Sequence, residues 1–415
     1  MRKNFQTAAL CITAALSLTL SPFTACPNIQ AEELTSNITA AKIQPAENTE
    51  KETAAATDFS VRLFQQCLKA DPETNVMVSP FSVLYALGMT ANGARQETLS
   101  QMEEVFGLSA DELNLYLYTW MNSLSSDKTS QLTIADSIWL KDDDALSVNQ
   151  DFLQTNTDYY NASIYKEPFD KETLSLINSW VNDNTDGMIP EILKELPSEA
   201  VMYLVNAIAF QGKWLEPYEE DQIVPAVFTD INGSEQDADM MYSTESRYLE
   251  DDEASGFLKY YEGHNYAFAA LLPKENVSIT DYAASFTGEK LSSLLSGAEE
   301  TSVDVCIPVF TAEYDTELSK VLKDMGMTDA FDITADFSGL GTSDNGNIFI
   351  NHVLHKTYIS VDAQGTKAAA ATAVEMAEAS YLPSDKTVYL DRPFLYMIVD
   401  CETGLPVFMG TLTSC

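Results

Sequence analysis

Three histidines, His264, His352 and His355, are the only side chains of that type in the chain, so any histidine-based acid–base chemistry must use one of them. None sits in a hydrolase signature. The sequence contains neither Gly-x-Ser-x-Gly nor His-Glu-x-x-His, the spacings that expose a serine nucleophile or hold zinc beside a general base. His355 falls in a run that reads as a strand, where a structural hydrogen-bonding role is the expectation. Gly339-Leu-Gly341 and Gly346 do not complete a dinucleotide fingerprint, because the spacing is wrong and no long helix follows. Asp142-Asp-Asp144 and Glu250-Asp-Asp-Glu253 could attract Ca²⁺ weakly, but neither has the EF-hand spacing, and solvated acidic loops are the simpler reading. The sequence implies no cofactor and no metal.

The stretch with the most unusual chemistry is Gly365 to Ser380 (GTKAAAATAVEMAEAS). A strand over Thr357–Val361 is expected before it, and strands over Phe394–Val399 and Pro406–Leu412 after it. Connections between strands are normally a few polar residues, whereas this one runs from Thr366 to Arg392 and begins with Ala, Thr and Val. Its Ala, Glu and Met content suits a helix, although single methyl groups give a weak packing face. A flexible linker is a second reading, at odds with strands resuming directly afterwards. The third is a strand not yet placed. With period 2, Thr366, Ala368, Ala370, Thr372 and Val374 share one small, uncharged face, while Lys367 and Glu375 share the other.

The elements that would position this tract are legible in outline. Phe59, Leu63, Phe64 and Leu68 are spaced as a helix face, and Asn75–Val78 reads as a short strand. Ser79-Pro80 then supplies an N-cap and a first-turn proline for a helix ending near Gly93. Arg95 to Phe106 is a helix stopped by Gly107. Strands are predicted over 131–141, Met202–Phe210, Tyr266–Leu272 and Thr301–Phe310, and helices over 171–185 and Asp315–Met325. The continuous apolar run at Met202–Phe210 marks a central strand. There is no internal repeat.

At the N-terminus, Arg2 and Lys3, the apolar run Ala8–Leu20 and Ile29-Gln-Ala31 read as an export signal spanning 1–31; the apolar run is too short to span a bilayer. Phe23 to Cys26 (FTAC) offers a second reading, a lipobox with Phe in place of the usual aliphatic residue and a lipid at Cys26. Residues 32–56 are polar and aperiodic and read as a disordered linker, with the folded domain spanning 57–415. The formal net charge is −40 over 415 residues, which argues against nucleic-acid binding. Removing the signal leaves 21 basic against 63 acidic residues. Cys67, Cys306, Cys401 and Cys415 would remain; export permits disulfides, but spacing does not reveal a pair, and Cys67 reads as core.

Several runs carry a resemblance. His355 to Val374 (HKTYISVDAQGTKAAAATAV) resembles the hinge and reactive-centre loop of the serpins. Asn75 to Ala94 (NVMVSPFSVLYALGMTANGA), Asn206 to Trp214 (NAIAFQGKW), Ala335 to Leu340 (ADFSGL), Asp391 to Ile398 (DRPFLYMI) and Phe408 to Gly410 (FMG) are similar to further serpin signatures, in the family's order across nearly all of 57–415. The resemblance implies an α+β serpin fold: a large mixed β-sheet plus smaller sheets, about eight to nine surrounding helices and an exposed reactive-centre loop. It implies a hinge of Gly365, Thr366, Lys367, Ala368, Ala369, Ala370, Ala371 and Thr372. It groups Ser79, Ser82, Asn206 and His355 as a polar shutter beneath the sheet, with Trp214 at the breach above it. Ala363 departs from the Glu usual at its place, which would loosen the loop's attachment.

The activity implied is that of a secreted monomeric suicide substrate for a serine protease, not of an enzyme. Counting from Gly365 puts the reactive bond at Ala379–Ser380 and suggests a cationic, elastase-like partner. Counting back from Pro393 moves it near Tyr381 and Leu382, which would suit chymotrypsin-like or subtilisin-like targets. From Thr366 to Ala379 is 14 residues, or roughly 46 Å when extended. A non-inhibitory serpin-fold binding or storage protein is the alternative.

Overall fold

The computed structural model describes residues 31–47, 49–124, 130–142, 145–197, 200–366, 384 and 386–415. Nine α-helices occur among them: α1 Glu50–Ala70, α2 Pro80–Ala91, α3 Gln96–Phe106, α4 Ala110–Ser123, α5 Gln150–Tyr160, α6 Lys171–Asn184, α7 Ile279–Ala284, α8 Gly288–Ser296 and α9 Ser319–Asp324. The strands are β1 Met77–Val78, β2 Ser130–Lys141, β3 Leu146–Val148, β4 Ser163–Glu167, β5 Met202–Lys213, β6 Ile223–Thr229, β7 Glu235–Glu250, β8 Ala254–Tyr260, β9 Tyr266–Pro273, β10 Glu299–Pro308, β11 Phe310–Glu317, β12 Gly341–Ser343, β13 His352–Asp362, β14 Gly365–Thr366, β15 Lys386–Tyr389, β16 Phe394–Asp400 and β17 Pro406–Leu412.

Two large sheets organise the molecule. The first is mixed, in the order β11-β13-β14-β5-β2-β4, with β13 also paired directly and in parallel to β5. The second runs β1-β17-β16-β9-β8-β7-β10-β15, with β6 added on β7. Helix α2 lies between them, touching β2 and β5 on one side and β17 on the other, and all of its residues are buried. A helix walled by sheet on both sides must be apolar all round, which accounts for the PFSVLYALGMTA sequence. The outer face of the first sheet carries a second apolar cluster: Trp139, Tyr203, Val205 and Ala207 pack with Ile177 and Val181 of α6 and with Ile189 and Ile192 beyond it.

Two expectations are corrected. Residues 32–56 are not a structureless linker among the described positions. Helix α1 begins at Glu50, and the chain before it lies on the open edge of the first sheet, where Leu34 N–H donates to Ile164 O at 2.7 Å and Lys166 N–H donates to Glu32 O at 3.1 Å. Leu34 and Ile38 pack against the core. The segment therefore satisfies backbone groups that an edge strand otherwise leaves open. The helix expected over Asp315–Met325 is shorter, because β11 continues through Glu317, opposite Leu354, before the chain turns.

Candidate functional site

The seam between β13 and β5 is where the site lies. Over His352–Tyr358 and Tyr203–Ala209 the two strands pair directly. Above that they diverge, and β14 fills the gap: Gly365 lies opposite Lys213 and Asp362, and Thr366 opposite Gly212 and Val361, antiparallel on both sides. The sequence read Gly365 and Thr366 as the start of the hinge, and here they are the first two rungs of a strand inside the sheet.

A tight turn builds this entry. Asp362 Oδ1 accepts from Gln364 N–H at 2.8 Å and Gly365 N–H at 3.2 Å. Gly365 has φ +150°, and a Cβ there would lie 2.0 Å from Gly212 O, so only glycine fits. Thr366 is fully buried, and its hydroxyl meets Tyr261 Oη at 2.6 Å. Trp214 stacks on Tyr261 at 4.5 Å and holds the turn twice, donating from its indole N–H to Asp362 O and from its backbone N–H to Gln364 O, both at 2.9 Å. Ala363 accepts from Tyr218 N–H through its carbonyl at 2.8 Å. Lys259, buried and 4.4 Å from the Tyr218 ring centroid, takes its counter-ion from Glu245 at 2.7 Å. The turn is thus held by backbone groups, the Asp362 carboxylate and the Trp214 indole, with no carboxylate supplied from position 363.

Further down the seam lies the predicted polar cluster. Asn206 on β5 and His355 on β13 are register partners, and His355 Nδ1 bonds Asn206 Oδ1 across the gap. Ser79 N–H donates to His355 Nε2 at 3.1 Å, and Ser79 Oγ donates to Val407 O of β17 at 2.8 Å. Ser79 therefore occupies the N-cap of α2 but makes no side-chain cap bond; its hydroxyl ties the helix to the second sheet instead. Asn206 Nδ2 donates to Ser82 Oγ and to Asp136 Oδ1. Burial pushes the His355 imidazole down to about 3, because a charged ring has no water there. Burial also holds the Asp136 carboxyl well above the usual carboxylate range, partly offset by its bonds from Asn206 and Ser82.

Four of the predicted cluster residues, Ser79, Ser82, Asn206 and His355, are thus brought together, with Trp214 at the top of the same seam. Asp136, Tyr261 and Asp362 belong to the site and were not singled out in the sequence. Asp136 does carry a signal, since period 2 puts it on the same face as the apolar Leu132, Ile134, Ile138 and Leu140, whereas Tyr261 is 105 residues from Thr366 and has none. The remaining hinge positions, Lys367, Ala368, Ala369, Ala370, Ala371 and Thr372, and the reactive pair Ala379 and Ser380, lie outside the described residues. The chain is described again at Ser384 and then from β15, which pairs in parallel with β10 at the edge of the second sheet.

The other candidates resolve as structure. Glu250 pairs with Lys386, and Asp251 and Glu253 pair with Lys290, which makes that acidic run an ion-paired turn. Among the described residues no group of three or more His, Cys, Asp or Glu is placed to hold a metal. Cys67, Cys306, Cys401 and Cys415 are unpaired; Cys67 and Cys306 are buried.

Comparisons with known proteins agree with this geometry. The family profile described as Serpin (serine protease inhibitor) matches residues 54–415. Human (Homo sapiens) neuroserpin is 27% identical over 373 residues, covering 86% of this chain and 90% of its own length. The crystal structure of the thermophilic serpin tengpin in its native state is 44% identical, with TM-score 0.90 over 93% of this chain and all of tengpin's. Tengpin in its latent state gives TM-score 0.78 at 42% identity, over 91% of this chain and all of tengpin's. With a family profile matched over residues 54–415 and a fold superposing on tengpin at TM-score 0.90, the chain belongs to the serpin family, whose members are typically serine protease inhibitors.

Proposed function

We propose that this protein is a secreted, monomeric suicide-substrate inhibitor of serine proteases with elastase-like specificity. The observation that carries this reading is the seating of Gly365–Thr366 between β13 and β5. Continuing both registers residue by residue would put Ala368, Ala370, Thr372 and Val374 beside Ile359, Thr357, His355 and Val353. Those four side chains all point into the buried face of the sheet. The small, uncharged face of the tract is therefore the one that would be buried, and Lys367 and Glu375 would face outward beside Ser360 and His352. A sequence selected only for flexibility has no reason to match that parity.

The chemistry is an interrupted acyl transfer. The protease serine attacks the carbonyl carbon of Ala379, the bond to Ser380 breaks, and the Ser380 amine leaves with a proton from the protease histidine. The new ester links the protease to the upstream half of the loop. That half then enters the sheet as a full strand. The register runs out at Met202 and His352, opposite Met376 and Glu375, so Ala379 would emerge about three residues beyond the far end. The protease would be carried roughly 40 Å, the length of β5, and its active site distorted before water completes hydrolysis. Each new ladder bond contributes about 0.5–1.5 kcal/mol net, and two ladders over some ten residues give on the order of 10–20 kcal/mol.

The expected result with an elastase-type protease is an SDS-stable adduct of the summed mass, with mass spectrometry placing the cut at Ala379–Ser380. Clean turnover without adduct would defeat the inhibitory reading. A cut at Tyr381 or Leu382 would move the specificity to chymotrypsin-like targets.

A further inference from the structure

The hydrogen bonds of the seam have a direction that can be fixed from one end. The Ser79 backbone N–H can only donate, so His355 Nε2 carries no proton. The ring proton of a neutral imidazole is then on Nδ1, which donates to Asn206 Oδ1. The carboxamide nitrogen of Asn206 is thereby turned the other way, toward Ser82 Oγ and Asp136 Oδ1. Donors run in one sense from α2 through β13 and β5 and end on β2 at Asp136. Its Oδ1 also accepts from Ser82 Oγ at 3.5 Å. Asp136 is 8% exposed, and its Oδ2 is buried without a hydrogen-bond partner. A carboxyl group is therefore buried with only one of its oxygens bonded by protein groups, which carries a stability cost. A purely structural polar contact does not require it.

The position of Asp136 matters for strand entry. Strand β2 pairs with β5 on the side away from β13, with Asp136 opposite Asn206. A new strand would enter on the other side of β5. It would have to part Asn206 from His355, and Thr372 would arrive between them by the register above. Asp136 would never meet the incoming strand.

We propose that Asp136 is a positioning residue: it is the terminal acceptor that holds the Asn206 carboxamide so that Asn206 bridges the seam to His355 and slows sheet opening. This rests on the strand-entry reading above. Without the acceptor, the Asn206 amide loses the bond that balances its pull on His355. The seam bond then weakens, because bonds in a chain polarise one another.

The test adds a synthetic peptide of this chain's own sequence from Thr366 to Ala379 to the intact protein. Uptake is followed by native-gel mobility and by resistance to urea. D136A is expected to take up the peptide roughly tenfold faster than wild type, the effect of one buried hydrogen bond. D136S, whose hydroxyl is too short to replace the carboxyl oxygen, should behave alike and serves if D136A does not fold. D136N keeps one acceptor oxygen and should return most of the way to the wild-type rate. In an N206A background, Asp136→Ala should change nothing further, because its effect passes through Asn206. Equal rates for wild type, D136A and D136S would overturn the proposal. So would an acceleration of the same size with and without Asn206, which would mean Asp136 only stabilises the core. Failure of the wild-type protein to take up peptide would instead overturn the strand-entry reading, and the proposal with it.

Discussion

Thr366 shows how a single side chain can report on the mechanism. It is fully buried against Tyr261 at the top of the seam, and by register it heads the face that would be buried. Thr366→Arg would bring an unpaired charge into that site at a cost of several kcal/mol. The expected outcome is conversion from inhibitor to substrate: the loop is still cut, but on SDS gels the adduct gives way to cleaved protein. An undiminished adduct yield would contradict strand entry. His355 gives a pH prediction. Its folded value near 3 lies below the ~6.5 of an exposed imidazole, so between those values the unfolded chain binds more protons. The stability His355 confers is complete above pH ~6.5 and falls by about 1.4 kcal/mol per pH unit below it. Asp136 has the opposite sign, since its raised folded value makes its contribution present below ~3.8 and lost as pH rises through that folded value. Comparing wild type with His355→Gln by urea unfolding isolates the histidine. The gap between them should shrink by about 2 kcal/mol from pH 6.5 to 5; a constant gap would refute the assignment. The sequence exposed His355, Ser79, Ser82 and Asn206 because short motifs surround them. Asp136 was open to suspicion, because it interrupts the apolar face of Leu132, Ile134, Ile138 and Leu140; Tyr261 was not, because its partner Thr366 is 105 residues away.

Among the elements, the alternation of small residues from Thr366 onward can be read in the sequence because it is a local property. Its two-residue foothold in the sheet was not, because that depends on Trp214 and Tyr261, distant in the chain. The edge segment was misread for a related reason. Residues 32–47 are polar, and their order rests on two apolar anchors, Leu34 and Ile38, and on backbone bonds to β4, which composition does not record. Deleting residues up to 47 should leave α1 intact, since it starts at Glu50, but expose the β4 edge. The expected consequence is a melting temperature lower by a few degrees and concentration-dependent aggregation in light scattering. Unchanged behaviour in both would mean that the segment only rests on the surface.

Over the whole molecule, two properties bear on function. The net charge of −40 would draw cationic proteases to the loop, so the association rate with such an enzyme should fall steeply as salt rises from 50 to 500 mM, and a flat profile would show that the charge serves solubility alone. The second property is the metastability that the proposed mechanism requires. The first sheet is closed along its lower half by the direct β13–β5 pairing and already parted at the top by β14, and under the proposed mechanism it would lower its free energy by admitting one more strand. Thermal unfolding before and after a single cut near Ala379 tests this most directly. The cut chain is expected to unfold tens of degrees higher than the intact one, as its freed strand completes the sheet. An unchanged melting temperature in the cut protein would mean that no strand is held in reserve.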